Sequence, residues 1–143
     1  MERQVEMVKA FHLKFDHEVN HRPKFPEVTT QQLRVRLVNE EADELEHAIL
    51  TNNLVEIADA LADLLYVTLG TAIAYGIDII PIFAEVHRTN MLKSTSKDDY
   101  GKNLKPANWK GPQILPILWE QSKMSPQEFE QLELLCNNET ERA

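Results

Sequence analysis

Three glutamates, Glu40, Glu41 and Glu44, stand within one turn and a half of each other, and Glu56, Asp59 and Asp63 follow shortly after. Carboxylates gathered this way coordinate a hard divalent cation through oxygen, or work as general acids and bases. From Asn39 to Asp63 the chain carries eight acids and no lysine or arginine. From Val86 to Lys110 it carries six bases, Arg88, Lys93, Lys97, Lys102, Lys105 and Lys110, against Asp98 and Asp99. An acidic centre followed by a basic stretch suits a ligand that brings cations and phosphates together. Two solvated faces of opposite sign have the same pattern.

The elements that must position these groups read as helices nearly throughout, so the expected fold class is all-α. Residues 2–18 predict a first helix, stopped by Arg22-Pro23 and Phe25-Pro26. Thr29 or Thr30 would cap a second helix reaching Leu50, and Thr51-Asn52-Asn53 is a short turn with a good cap. A third helix runs from Leu54 to Tyr75 and is stopped by Gly76. A fourth spans Ile79 to Leu92, residues 94–111 form a basic and mostly irregular loop, and shorter helices follow at 112–121 and 126–136. The expected architecture is an antiparallel four-helix bundle core (about 20–93) with short C-terminal helices, in a single domain over residues 1–143.

A turn of about 100° per residue tests whether the acids face water. On the second helix the apolar arc runs from Leu33 through Leu37 and Leu45 to Ile49, with Glu41 and Glu44 inside it, Glu40 at its edge and Asp43 pointing away. Carboxylates on the packed side of a helix are costly unless paired or bound to a cation. On the third helix Glu56, Asp59 and Asp63 form an acidic stripe beside the core. The short turn makes the two helices antiparallel neighbours, so the stripes can face each other. An all-oxygen site without cysteine suits Mg²⁺ or Mn²⁺. On the fourth helix the stripe Ile79, Ile82, Phe83, Val86 continues onto Asn90 and Lys93, a donor amide and an ammonium placed to meet phosphate.

Composition limits the alternatives. The 143 residues hold 15 Lys+Arg against 23 Asp+Glu, a net charge of −8 that argues against a nucleic-acid polymer or an anionic membrane as partner. Four glycines are too few for a turn-rich β fold. The single Cys136 excludes an internal disulfide and fits a cytoplasmic location. No uninterrupted apolar run reaches the roughly 20 residues a membrane span needs.

The order of these groups resembles a known family. Glu40-Glu41-Ala-Asp-Glu44 followed by acids one helix later is similar to the EExxE…ExxD pattern of the all-α NTP pyrophosphohydrolases, which include MazG-like proteins, dimeric dUTPases and phosphoribosyl-ATP pyrophosphohydrolase. Ala60-Leu-Ala-Asp63-Leu-Leu-Tyr-Val67, Phe83-Ala-Glu-Val-His-Arg-Thr-Asn90 and Gly101-Lys-Asn-Leu-Lys-Pro106 resemble the phosphoribosyl-ATP pyrophosphohydrolase-like branch, some of whose MazG-like members are dUTP diphosphatases. The resemblance implies Mg²⁺-dependent cleavage of a nucleoside triphosphate, with dUTP a candidate, to the monophosphate and pyrophosphate. It also implies metal ligation by Glu41, Glu44 and the ExxD acids. That last pair departs from the pattern: if Asp63 is the motif aspartate, Ala60 stands in its glutamate position, while Glu56-Ile-Ala-Asp59 satisfies ExxD one turn earlier. Glu56, Asp59 and Asp63 therefore all remain candidate ligands. Glu40 is the candidate for orienting or deprotonating the attacking water. Asn90 and Lys93 are the first candidates for gripping phosphate, with Arg88 and Lys102 behind them.

Other classes stay open. Glu18-Val-Asn-His21 and Glu44-Leu-Glu-His47 match the ExxH spacing of di-metal helical bundles, although Glu18–His21 lies where the first helix should be ending. A non-catalytic helical module, and phosphoribosyl-ATP pyrophosphohydrolase-like action on another nucleotide, are further alternatives. The third helix continues through Leu64, Leu65, Val67, Leu69, Ala72, Ile73 and Ala74, apolar on several sides. It calls for several neighbours, hence a homodimer or a dimer of dimers.

Overall fold

The computed structural model describes residues 1–123, and the helix expected at 126–136 lies outside them. Five helices occur in these residues: α1 (Glu2–Lys14), α2 (Val28–Leu50), α3 (Leu54–Ala74), α4 (Ile79–Asn90) and α5 (Ile114–Ser122). Among the described residues there is no strand, only an isolated bridge between Lys97 and Asn103 in the basic loop. The fold class is all-α. The chain divides into two compact units, one over Met1–Asp78 and one beginning at Ile79.

In the first unit α3 packs along α2 and also against α1. Three helix ends use one device, a left-handed residue just past the last turn. At α1 it is Asp16 (φ 54°), with the His17 N–H bonded to the His12 carbonyl at 2.9 Å. At α2 it is Asn52 (φ 53°), with Asn53 N–H bonded to Ala48, and at α3 it is Gly76 (φ 67°), with Ile77 N–H bonded to Ala72. Asn52 thus closes α2, and one residue later the Asn53 side chain accepts the Glu56 N–H at 3.3 Å to open α3. This places the two acidic helices side by side.

Two helix boundaries differ from expectation. α1 ends at Lys14, not residue 18, because Asp16 takes the left-handed conformation that glycine more often supplies. The N-cap of α2 is Glu27, not Thr29 or Thr30, and it makes no side-chain capping bond. The link between α1 and α2 instead folds back on α3: Asn20 N–H donates to Ile73, its side-chain amide donates to Ala74, and Lys24 N–H donates to Tyr75.

The first unit's core is small and partly polar. Val8, Ala48, Ala60, Leu69, Ala72, Ile73 and Ala74 are buried, and so are His12 and Arg34. Gly70 makes room for these two: a Cβ there would lie 2.8 Å from Arg34 Nη1 and 2.9 Å from His12 Nε2. His12 Nδ1–H donates to the Glu18 carbonyl at 3.0 Å. Burial, with Arg34 and His17 nearby, holds the His12 pKa below its ordinary value and favours the neutral ring.

α3 is long and apolar enough, by length and composition alone, to cross a bilayer, which amends the expectation that no segment is. A core helix passes the same test, and α3 is packed on two sides. Its C-terminal half, Leu69 to Ala74, is covered within the chain, whereas Leu54, Leu61 and Leu65 in its N-terminal half are exposed. Of the apolar residues the sequence singles out on this helix, Leu65 is exposed, while Leu69, Ala72, Ile73 and Ala74 are covered within the chain.

Candidate functional site

α2 has two buried residues, Arg34 and Ala48, and Glu41 lies at the middle of the same face, half-buried. Glu40 and Glu44, expected at the edge and inside of the buried arc, are exposed. The difference has a plain cause. The packed face centres on an arginine and an alanine, not on the leucines, and Ile49 at the far end of the apolar arc is itself 53% exposed.

Glu41 is held above the ordinary carboxylate pKa, first by desolvation and then by the charges of Glu44, Asp63, Glu40 and Asp59. Two of those neighbours come from α2's own turn and two from α3, so the two acidic stripes do face each other. A cavity of about 310 Å³ opens beside them, lined by Asp43, Glu44 and His47 of α2 and by Glu56, Asp59 and Ala60 of α3. Glu44 and Asp59 thus belong both to the neighbourhood of Glu41 and to the cavity, with Asp63 on the Glu41 side and Glu56 on the cavity side.

Three details depart from the sequence reading. Asp43, read as facing away, lines the cavity, and so does His47. Each flanks Glu44 on the α2 surface, so a ligand reaching Glu44 from α3's side meets them too. Ala60, which stands where one alignment of ExxD would put a glutamate, is buried at 4% exposure. It lines the same cavity as Glu56 and Asp59, so the short side chain of Ala60 leaves that wall of the cavity without a carboxylate. Glu18 is not on a helix with His21: its carboxylate accepts from the Asn20 amide (2.8 Å) and the Glu27 N–H (3.1 Å), so it is spent on the chain's own loop.

Glu40 pairs with Arg36 at 3.2 Å on the exposed side of α2. Such a pair is worth about 0.5 kcal/mol or less and does not lock the carboxylate. Among the described residues no three acidic, histidine or cysteine side chains converge on one ion-sized point. The donors are nevertheless the right chemistry for a hard cation. They are carboxylate oxygens, they stand on two facing helices, and they repel one another enough to disfavour the ionised form of Glu41.

The expected phosphate-binding residues belong to the second unit. α4 ends at Asn90, so Lys93 lies in the following turn, not on the helical stripe, and Asn90 itself is exposed. The buried residue of α4 is Thr89, not Phe83, which is 57% exposed. Arg88 is committed to Glu85, with Nε–Oε2 at 2.7 Å and Nη2–Oε1 at 2.8 Å. The Gln113 N–H also donates to Glu85 at 2.9 Å, and these bonds pull the Glu85 pKa down to about 2. Lys102 is exposed on the loop that Asp98 organises through the Tyr100 and Lys102 N–H groups.

Comparison with known proteins agrees with this geometry. Residues 8–90 match the model of the phosphoribosyl-ATP pyrophosphohydrolase family, a span that includes both acidic stripes. An uncharacterized protein of Acanthamoeba polyphaga mimivirus is 38% identical over 76 residues, which are 50% of this chain and 30% of that protein. The chain therefore spans less than a third of the length of that relative. With more than half of its length in the family match, and with the paired acidic helices in the matched part, the chain belongs to the phosphoribosyl-ATP pyrophosphohydrolase family.

Proposed function

We propose that this protein is a Mg²⁺-dependent nucleoside triphosphate pyrophosphohydrolase that releases a monophosphate and pyrophosphate, with Mn²⁺ able to substitute. The observation that carries the proposal is Glu41, a half-buried carboxylate whose pKa is raised by desolvation and by four acids on two facing helices. Such a group gains most when a cation arrives. Glu41, Glu44, Asp59 and Asp63 would hold the metal, with Glu56 completing the cavity side. When bound, the cation neutralises phosphate charge and that developing on the leaving pyrophosphate.

The remaining roles fall to the chain's own side chains. Glu40, exposed and only loosely tied to Arg36, is the candidate for accepting a proton from the attacking water or orienting it. Asn90 and Lys93 are the candidates for phosphate oxygens. Arg88 and Lys102 contribute less, since Arg88 is already bound to Glu85. A homodimer or dimer of dimers in the cytoplasm is the proposed setting, supported by the exposed Leu54, Leu61 and Leu65 on α3. Light scattering at micromolar concentration tests the assembly.

The chemical test is a panel of NTPs and dNTPs with Mg²⁺ or Mn²⁺, dUTP first and phosphoribosyl-ATP included. The expected products are the monophosphate and pyrophosphate. A diphosphate with orthophosphate is cleavage at another bond and overturns the reading.

A further inference from the structure

The largest cavity described lies in the second unit, far along the chain from the acidic helices. It encloses about 660 Å³ and its lining includes Arg88, Leu92, Pro106, Asn108, Trp109 and Lys110. That volume is in the range of small-molecule pockets. Apart from Arg88, these residues lie beyond position 90, outside the part of the chain that matches the family. The cavity is thus built from the end of α4 and the basic loop that follows it.

The frame around it is fixed. Trp109 donates its indole Nε1–H to the carbonyl of Thr89, a residue only 1% exposed, at 2.9 Å. Glu85 clamps Arg88 through two bonds and also accepts the Gln113 N–H, tying the end of α4 to the start of α5. Gly111 runs along the indole edge, where a Cβ would sit 3.7 Å from the ring. Arginine and tryptophan, the two side chains that most need anchoring to recognise a ligand, are each anchored by a different contact.

The lining is amphipathic in a specific way. Trp109, Pro106 and Leu92 present flat and apolar surface, while Arg88 and Lys110 bring positive charge. Among the described residues no acid lines the cavity. Arg88 spends its Nε and Nη2 edge on Glu85 and keeps its Nη1 amino group. Lys105 stands 4.6 Å from the centre of the indole without lining the cavity, so with Glu85 set against Arg88 the surroundings remain cationic. A planar ring against tryptophan and proline, joined to an anion held by guanidinium and ammonium, describes a nucleotide.

We propose that this cavity binds a nucleoside monophosphate without a divalent cation, its base against Trp109 and Pro106 and its phosphate met by Arg88 and Lys110. The assignment does not rest on the acidic face, and the test keeps the two apart by working in a chelator. The full chain, labelled with ¹⁵N, has two indole signals, from Trp109 and Trp119, and the Trp119→Phe variant identifies the first. With EDTA present, UMP and AMP should shift the Trp109 indole signal in a saturable way. Uridine, which lacks the phosphate, and inorganic phosphate, which lacks the ring, should do so far more weakly. Lys110→Gln, a change at an exposed side chain, should weaken UMP and AMP binding by about tenfold, one charge-assisted contact. Three outcomes overturn the proposal: no shift with either monophosphate at millimolar concentration, an equal response to inorganic phosphate alone, or binding that appears only when Mg²⁺ is restored. The last of these would assign the nucleotide to the acidic helices instead.

Discussion

Glu41 on α2 and Glu85 on α4 are chemically the same group in opposite electrostatic settings. Glu85 has an arginine fork at 2.7–2.8 Å and a backbone N–H at 2.9 Å, and its pKa falls to about 2. Glu41 is desolvated and set among the charges of Glu44, Asp63, Glu40 and Asp59, and its pKa rises. A carboxylate like Glu85 has its partners within the chain and its work is structural. A carboxylate like Glu41 is unfinished, because among the described residues no cation offsets the charge that folding has concentrated there. The difference separates a group that holds a frame from a group that waits for a cation.

The largest effect should come from removing the unfinished charge. Glu41→Gln or Glu44→Gln is expected to cut metal-dependent turnover by roughly 10²–10³-fold or more, the scale of losing a key electrostatic contact in catalysis. The same variants should melt at the wild-type temperature or above it, since like charges are relieved. Addition of Mg²⁺ should raise the melting temperature of the wild type and not that of Glu41→Gln. Turnover at the wild-type rate in either variant would remove these residues from the mechanism. Asp63→Asn should behave like them, and Asp59→Asn should cost more than Glu56→Gln, because Asp59 acts on Glu41 and lines the cavity whereas Glu56 does only the second.

How much of this was legible beforehand follows from what each residue contributes. The α2–α3 turn was readable to the residue because Thr51-Asn52-Asn53 carries both its stop and its start signals. The ends of α1 and α4 were not, since Asp16 closes α1 in a conformation its type rarely takes and α4 stops without glycine or proline. Glu41 was found on the packed face. Glu44 was misplaced inward, and Asp43 outward, because an apolar count gives no weight to Arg34 or Ala48, which are what α2 actually buries. Glu85 went unremarked. Its i,i+3 spacing from Arg88 was a visible signal, but the bond to Gln113 spans 28 positions and only the fold reveals it.

A smaller effect should come from the frame behind Glu41. Gly70→Ala puts a methyl group against Arg34 Nη1 and His12 Nε2, at 2.8 and 2.9 Å. His12 cannot withdraw without giving up its bond to the Glu18 carbonyl at 3.0 Å. Overpacking of this kind costs about 1–3 kcal/mol, read as a lower urea midpoint with an unchanged slope. An unchanged midpoint would mean that Arg34 is free to move aside.

The smallest effect is the most diagnostic, because its sign differs for the two carboxylates. The folded pKa of Glu85, about 2, lies below the ordinary 4.5, so its contribution to stability is fully present above about pH 4.5 and is lost as the pH falls through about 2. Wild type should therefore exceed Glu85→Gln in stability at pH 7, and the gap should close through that window. Glu41 runs the other way. Its folded pKa lies above the ordinary value, so its ionisation lowers stability as the pH rises through the folded pKa. Glu41→Gln should match wild type in acid and equal or exceed it at neutral pH. Urea midpoints of the three proteins at several pH values between 2 and 7, without divalent cation, supply the comparison. Each group is still partly open to solvent and contributes modestly after screening, so the result to look for is the direction in which each gap opens. Gaps of the same sign would mean that Glu41 has a partner after all, and the case for a waiting cation site would fall with it.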